Sequence, residues 1–176
     1  MYIDTSEICD FYPDDVDVMD PIFTHFGGIQ AFHGKVTTVK CYETNGLIAE
    51  ILEEDGRGRV LVVDGGGIMR SALVDAELAQ LAADNQWEGI VVNGAVRQVQ
   101  ELAQIDIAII ALGAFPVGAF DEQLGDTDVP VNFAGVSIYP DDYIYSDTTG
   151  TVLSGIPLDI DHDLDDEELD ADALDK

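Results

Sequence analysis

One candidate ligand-binding segment is rich in glycine and follows the apolar run Val60–Val63. It consists of Asp64, Gly65, Gly66 and Gly67. Glycines at a strand end let backbone amides approach an anion, and an acid there often meets a ligand hydroxyl, as in dinucleotide or S-adenosylmethionine sites. The spacing is not G-x-G-x-x-G, however, and Ile68–Ser71 does not open a long helix. A tight turn that requires positive φ is therefore the favoured interpretation.

A second candidate segment follows the next apolar run, Ile90–Asn93. It consists of Gly94, Ala95, Val96, Arg97 and Gln98. In open α/β sheets, ligands bind where loops at the carboxyl ends of neighbouring strands converge, so the two segments are predicted to share a crevice. Arg97 would bind a carboxylate there through two parallel hydrogen bonds. The alternative is a salt bridge between Arg97 and a neighbouring acid of the chain.

The histidines and cysteines form no recognisable catalytic or metal-binding pattern. His25 and His33 lie in a glycine-rich stretch without the spacing of a zinc site, and no nucleophile-elbow motif is present. Cys9 and Cys41 lie far apart and outside any CxxC motif, which is typical of small buried side chains in a cytosolic protein. We therefore expect a cytoplasmic protein with no metal and no cofactor.

The elements that position these residues alternate along the chain. Helices are predicted over residues 4–12, 47–54, 76–86 and 99–105. Strands are predicted over residues 34–41, which alternate, and 107–112, and buried strands over residues 59–63 and 89–92. After Pro116, the segments 129–139 and 143–153 are predicted to be strands that pair with each other. This order indicates an α/β domain in which a mixed sheet has flanking helices.

Charge is the strongest signal in the composition. The 176 residues include 36 Asp and Glu but only 7 Lys and Arg, which gives a formal net charge of −29. Nucleic-acid binding relies on cations that displace counterions from phosphates, so direct binding of RNA or DNA is not expected. The charge favours either high solubility or association with arginine-rich protein segments through complementary potentials.

The chain divides near its C-terminal end. Residues 1–161 are predicted to form one domain, and the 47% hydrophobic content of the chain is sufficient for a core. Residues 162–176 are acidic and lack aromatic residues, so we expect a disordered tail. Two acidic clusters in the domain are candidate contacts for a partner. They are Asp14, Asp15, Asp17 and Asp20, and Asp121, Glu122, Asp126 and Asp128.

Several segments, taken together and in order, resemble one known family. The most specific is Gly56–Gly67, with the sequence GRGRVLVVDGGG. The others are residues 4–10, 45–47, 72–79, 87–89, 94–99, 116–119, 131–133 and 157–160. Over residues 2–161 the chain thus resembles the RraA-like family, the bacterial regulators of ribonuclease activity. No comparable resemblance covers residues 162–176.

The resemblance implies a fold, an assembly and a set of partners. Members of the family adopt a swivelling β/β/α fold and assemble as ring-shaped homotrimers. They bind the arginine-rich C-terminal region of ribonuclease E and the DEAD-box RNA helicase of the degradosome, and thereby inhibit RNA cleavage and modulate RNA abundance. The resemblance therefore implies a protein-binding regulator that is not an enzyme and does not bind nucleic acid directly. Membrane binding is not expected either, because no apolar run approaches the ~20 residues that a membrane span needs.

The same family includes class II pyruvate aldolases and oxaloacetate decarboxylases. Their motif has a glycine, a later Arg-Asp pair and a trailing acid, in which the arginine orients the pyruvyl group and the aspartate binds a divalent metal. Here Arg97 matches the arginine and Glu101 the trailing acid, whereas Gln98 replaces the aspartate and Asp75 lies near the position of the glycine.

These two replacements argue against aldol chemistry. A neutral amide is a poor ligand for a hard dication, and an acid near a helix start repels a substrate carboxylate. The resemblance therefore implies a vestigial ligand pocket that comprises residues 64–67, 75, 94–98 and 101. A metal-dependent aldolase or decarboxylase is the alternative, and a demethylmenaquinone methyltransferase is the remote one.

Overall fold

A computed structural model describes residues 2–161, so the predicted acidic tail lies outside the described residues. The helices of this part are α1 (Thr5–Phe11), α2 (Gly46–Leu52), α3 (Ala76–Asp84) and α4 (Val99–Leu102). The first strands are β1 (Val16–Val18), β2 (Thr24–His25), β3 (Phe32–Lys40), β4 (Arg59–Asp64), β5 (Ala72–Val74) and β6 (Gly89–Val96). The remaining strands are β7 (Ala108–Ala114), β8 (Asp126–Thr127), β9 (Val131–Phe133), β10 (Val136–Ile138), β11 (Tyr143–Ser146) and β12 (Thr151–Ser154).

A ten-stranded mixed sheet organises the fold, with the strand order β1-β12-β11-β3-β4-β6-β7-β2. Strands β3, β4, β6 and β7 are parallel, and β5 adds to β6 in the same direction. The outer strands β1, β12, β11 and β2 pair in antiparallel fashion, as does the short β8 with β3. Strands β9 and β10 form a separate hairpin.

The central strands are buried because each face of the sheet packs against a different layer. Along β4, Leu61 and Val63 pack with the apolar residues of α2 and α3. The alternate residues Val60 and Val62 pack with the β9–β10 hairpin instead. This alternation follows from the two-residue period of a strand, and an apolar run is needed when both faces are covered. The result is the predicted α/β fold with a mixed sheet and helices on one face.

The predicted helices and buried strands are found, but one predicted pairing is wrong. Segments 129–139 and 143–153 do not pair with each other. The first folds into its own hairpin, because Ala134 (φ 50°) and Gly135 (φ 75°) provide the positive φ pair of a tight two-residue turn. The second turns back at 147–150, so that β11 pairs with β12 and β3. Within residues 2–161, no helix is long and apolar enough to cross a membrane.

Candidate functional site

The candidate site lies at the carboxyl ends of the central parallel strands. Asp64, the last residue of β4, is buried, and its Oδ1 accepts hydrogen bonds from Gly66 N (2.9 Å) and Asn93 Nδ2 (3.0 Å). The backbone oxygen of Asn93 in turn accepts from Gly65 N and Gly67 N, both at 3.1 Å. The polar groups of the glycine segment are therefore used to hold the segment itself against β6.

The glycine segment is a tight turn, as its sequence predicts. Gly66 and Gly67 have φ of +68° and +71°, a region that favours glycine. A Cβ atom on Gly66 would also lie 2.6 Å from the ring of Tyr42. Backbone conformation and close packing thus explain these glycines without a bound nucleotide.

Arg97 follows β6 directly and pairs with an acid of the chain. Its Nη2 lies 3.6 Å from Asp75 Oδ2, and its backbone N donates to Val74 O. The guanidinium also packs on Gly118, where a Cβ atom would lie 2.7 Å from Arg97 Cζ. The Arg97 Nε is buried and has no hydrogen-bond partner within residues 2–161. Of the two sequence-based alternatives, the salt bridge is the arrangement found.

The start of α3 is capped by two side chains of the candidate site. Asp75 Oδ1 accepts from Leu78 N at 3.0 Å, and Gln98 Oε1 accepts from Ala76 N at 3.0 Å. Gln98 reaches this position from a left-handed backbone conformation (φ 57°) at the start of α4. Amide groups in the first turn of a helix have no partner within the helix, so these side-chain contacts satisfy them.

Four of the predicted site residues line one open groove. Asp75, Arg97, Gln98 and Glu101 border this groove, which has a volume of about 710 Å³. The other lining residues belong to the first turns of α3 and to α4 with the loop after it. They are Ala76, Glu77, Gln80, Gln100, Gln104 and Ile105. We name this the α3–α4 groove. It has one cation, Arg97, and three acids.

The remaining predicted site residues do not line the α3–α4 groove. Asp64, Gly65, Gly66 and Gly67 form the glycine turn, which is held against Asn93 of β6. Gly94, Ala95 and Val96 were predicted in a loop, but this prediction is wrong, because β6 continues through them to Val96. Ala95 and Val96 pair with residues of both β5 and β7, and all three are buried.

Sequence reasoning missed two residues that shape this region, Asn93 and Gly118. Asn93 lies at the end of the predicted strand, where a polar residue after an apolar run is a signal of a strand-end contact. Gly118 lies in a segment that contributes to the family resemblance, but its packing on Arg97 depends on the tertiary fold. Neither contact is encoded in local spacing.

The two histidines within residues 2–161, His25 and His33, and the two cysteines do not line the α3–α4 groove. Burial, and then the charge of Asp64, raise the pKa of Cys41 to about 12, so its thiol stays protonated at neutral pH. Burial also raises the pKa of Cys9. His25 Nε2 lies 3.0 Å from Asp147 O, and the ring of His33 stacks on Tyr145. Within residues 2–161, no cluster of three or more His, Cys, Asp and Glu side chains is arranged to hold a metal ion.

Comparison with known proteins identifies relatives along most of the chain. A family model described as RraA-like, Aldolase/RraA, matches residues 5–153. The structure of the RNA-processing inhibitor RraA from Thermus thermophilus is 38% identical, covers 90% of this chain and 96% of its own, and superposes with a TM-score of 0.87.

Two further solved structures are similar. A Geobacillus kaustophilus protein named as an S-adenosylmethionine:2-dimethylmenaquinone methyltransferase is 36% identical, with a TM-score of 0.87 and coverage of 89% of this chain and 97% of its own. RraAS2 from Streptomyces coelicolor, named as an unusual member of the RNase ES inhibitor family, is 20% identical. It covers 86% of this chain and 81% of its own with a TM-score of 0.69, which shows the shared fold.

Proposed function

Because the chain belongs to the RraA-like family, we propose that it is a protein regulator that binds the arginine-rich C-terminal region of ribonuclease E. Binding masks that region and so inhibits RNA cleavage. The observation that carries the proposal is the similarity over 90% of the chain to an RNA-processing inhibitor. The degradosome helicase is proposed as a second partner, and a homotrimer as the assembly.

The charge distribution supports a cationic partner. In the described part of the chain, the ion pairs are Lys35–Asp141, Arg57–Asp55, Arg59–Glu54, Arg70–Glu43 and Arg97–Asp75. Nearly all of the few cations are therefore next to an acid already, and the excess of acids is left uncompensated. A surface of one sign accelerates and stabilises association with a segment of the opposite sign.

The α3–α4 groove argues for binding without catalysis. An aldolase of this family needs a metal, and the residues present do not fit one, because Gln98 Oε1 accepts from Ala76 N where a ligating carboxylate would be needed. The Asp75 carboxylate lies between the start of α3 and the guanidinium of Arg97. A substrate carboxylate would therefore have to compete with the Asp75 carboxylate for the guanidinium of Arg97 and for the backbone N–H groups at the start of α3.

The proposal is tested by binding and by cleavage. We expect the purified chain to bind a fluorescein-labelled arginine-rich peptide from the C-terminal region of ribonuclease E, measured by fluorescence anisotropy. Affinity should fall steeply with added salt, since screening shortens the range of exposed charges. The chain should also slow cleavage by full-length ribonuclease E but not by its isolated catalytic domain. Absence of binding at low salt, or equal inhibition of both enzymes, would contradict the proposal.

A metal-dependent lyase is the second candidate, because the matching family model also includes aldolases. It predicts release of pyruvate from oxaloacetate when Mg²⁺ or Mn²⁺ is added, and loss of that activity in Arg97→Ala. Gln98→Asp is the sharper variant, since activity that is present only in this variant would show that the missing carboxylate is what prevents catalysis. A methyltransferase would bind S-adenosylmethionine, which calorimetry detects directly.

A further inference from the structure

Strand β1 leaves one edge of the sheet open. It is the terminal strand of the sheet and pairs with β12 on one side, while no strand of residues 2–161 pairs with it on the other. Met19 N donates to Thr151 O, so these two residues form a hydrogen-bonded pair. Hydrogen-bonded and non-hydrogen-bonded pairs alternate along an antiparallel ladder, so the next hydrogen-bonded pair is Asp17 with Leu153. Val18 and Val16 are then the non-hydrogen-bonded positions, and their backbone N–H and C=O groups point away from β12.

The open edge is exposed and flanked by carboxylates. Val18 is 59% exposed, and Asp17 beside it is exposed as well. Three further exposed acids flank the strand. They are Asp14, Asp15 and Asp20. The ion pairs found within residues 2–161 use other acids, so these four carboxylates, which we name the edge acids, are uncompensated.

We propose that an extended arginine-rich polypeptide adds to the sheet as a strand beside β1. This inference rests on the proposed function and names the surface that performs it. The backbone groups of Val16 and Val18 would pair with the backbone of the incoming segment, which is a recurrent mode of peptide recognition. Arginines on that segment would lie next to Asp17 and the other edge acids, within reach of charge-assisted hydrogen bonds.

The edge acids also decide which occupant fits. Charged residues on an edge strand keep sheets of like molecules apart, so a second copy of this acidic chain is repelled. The same charges attract a cationic strand. Because β1 is short, only a few backbone groups can pair, so binding needs both the backbone hydrogen bonds and the electrostatic attraction. Charge complementarity therefore selects an arginine-rich segment over a second copy of this chain.

The first test removes the backbone donor of the edge. Val18→Pro lacks the outward N–H, but its φ suits an extended strand and it leaves the pairing of Asp17 with Leu153 in place. We expect about tenfold weaker binding of the labelled arginine-rich ribonuclease E peptide to the full chain, equivalent to about 1.4 kcal/mol. Val18→Thr retains the N–H and the β-branched shape, and should bind like the wild type.

The second test removes charge with a matched control. The edge acids are changed together, as Asp14→Asn, Asp15→Asn, Asp17→Asn and Asp20→Asn. The control removes the same charge elsewhere, as Asp121→Asn, Glu122→Gln, Asp126→Asn and Asp128→Asn. Binding should weaken at least about tenfold more in the first variant than in the second, because only the first adjoins the proposed strand.

A third measurement does not depend on how the variants fold. In the wild-type chain, saturation with the peptide should slow hydrogen exchange at the amides of Val16 and Val18. If the wild type binds but these amides are unaffected, or if both charge variants lose equal affinity, the edge is not the binding surface and the proposed function stands. If the wild type does not bind the peptide at low salt, the proposed function fails and this inference fails with it.

Discussion

Asp75 makes two different contacts at the edge of the α3–α4 groove. One of its oxygens accepts from Leu78 N at 3.0 Å, and the other lies 3.6 Å from Arg97 Nη2. A carboxylate that caps a helix and pairs with a guanidinium competes with an incoming anion for both groups. The two functions also stabilise the fold differently, because the cap requires only an acceptor whereas the ion pair requires a charge.

Substitution of Asp75 should separate these two contributions. Asp75→Ala removes the cap and the ion pair, and we expect the free energy of unfolding to fall by about 1 kcal/mol, up to about 2 kcal/mol. Asp75→Asn keeps an acceptor for Leu78 N and should lose less than half of that. Urea unfolding followed by circular dichroism measures both values. A loss in Asp75→Ala no larger than in the exposed control Glu101→Gln would show that the cap does not stabilise α3.

The residue types of this region were predictable, but their partners were not. The positive φ of the glycine turn follows from three consecutive glycines after a strand, and a salt bridge for Arg97 follows from the abundance of acids. By contrast, Gln98 caps a helix that begins at Ala76, and Asn93 holds Asp64. Both contacts join residues that are distant in sequence. The contact of Asn93 depends on the register of β4 against β6, and that of Gln98 depends on the register of β5 against β6.

The tight turn between β11 and β12 fixes the N-terminal helix to the sheet. The Asp147 carboxylate in this turn accepts from Thr5 N and Thr5 Oγ1, both at 2.8 Å. It also accepts from Thr149 N and Gly150 N. Burial acts to raise the pKa of Asp147, but these hydrogen bonds outweigh it and leave the pKa below its usual range. One side chain thus orders both its own turn and the start of α1.

Loss of this side chain should loosen α1 in a pH-dependent way. Asp147→Ala should lower the free energy of unfolding by about 1–3 kcal/mol near neutral pH, because several donors lose their acceptor. A lowered pKa stabilises the fold above the unfolded value, about 3.9, and that stabilisation is lost as pH falls through the folded pKa. The difference from wild type should therefore shrink below about pH 4.

Urea unfolding at a series of pH values measures this effect, with Asp121→Ala as the exposed control. That control should remain within about 0.5 kcal/mol of wild type at each pH. A difference for Asp147→Ala that stays constant or grows as the pH falls would contradict the assigned direction of the pKa shift.

Whether the sequence predicts a helix or strand depends on how many consecutive residues carry its pattern. Apolar runs predict the buried strands β4, β6 and β7, and amphipathic spacing predicts α2 and α3, since local pattern and tertiary burial agree there. The short strands β1, β2, β5 and β8 have only two or three residues, so no periodicity reveals them. The extension of β6 through Gly94 to Val96 was hidden because glycine and alanine resemble a loop until neighbours β5 and β7 pair with them.

Net charge links the stability of the whole molecule to its proposed binding. With 36 acids and 7 bases, the folded chain concentrates like charges that the unfolded chain separates, so self-repulsion opposes folding. Under the proposed function, the same excess of acids attracts the arginine-rich partner. Added salt screens both effects, which means that it should act in opposite directions on the free chain and on the complex.

We therefore expect salt to stabilise the chain while it weakens the complex. Raising salt from about 0.1 M to about 1 M shortens the screening length from about 10 Å to about 3 Å. Differential scanning fluorimetry should show a Tm several degrees higher for the free chain, and anisotropy should show weaker peptide binding over the same range. The variant with Asp121→Asn, Glu122→Gln, Asp126→Asn and Asp128→Asn carries less charge, so its Tm should depend less on salt. A Tm that falls with salt would mean that attractive ion pairs outweigh self-repulsion, and the uncompensated acids would then not be the dominant electrostatic feature of the surface.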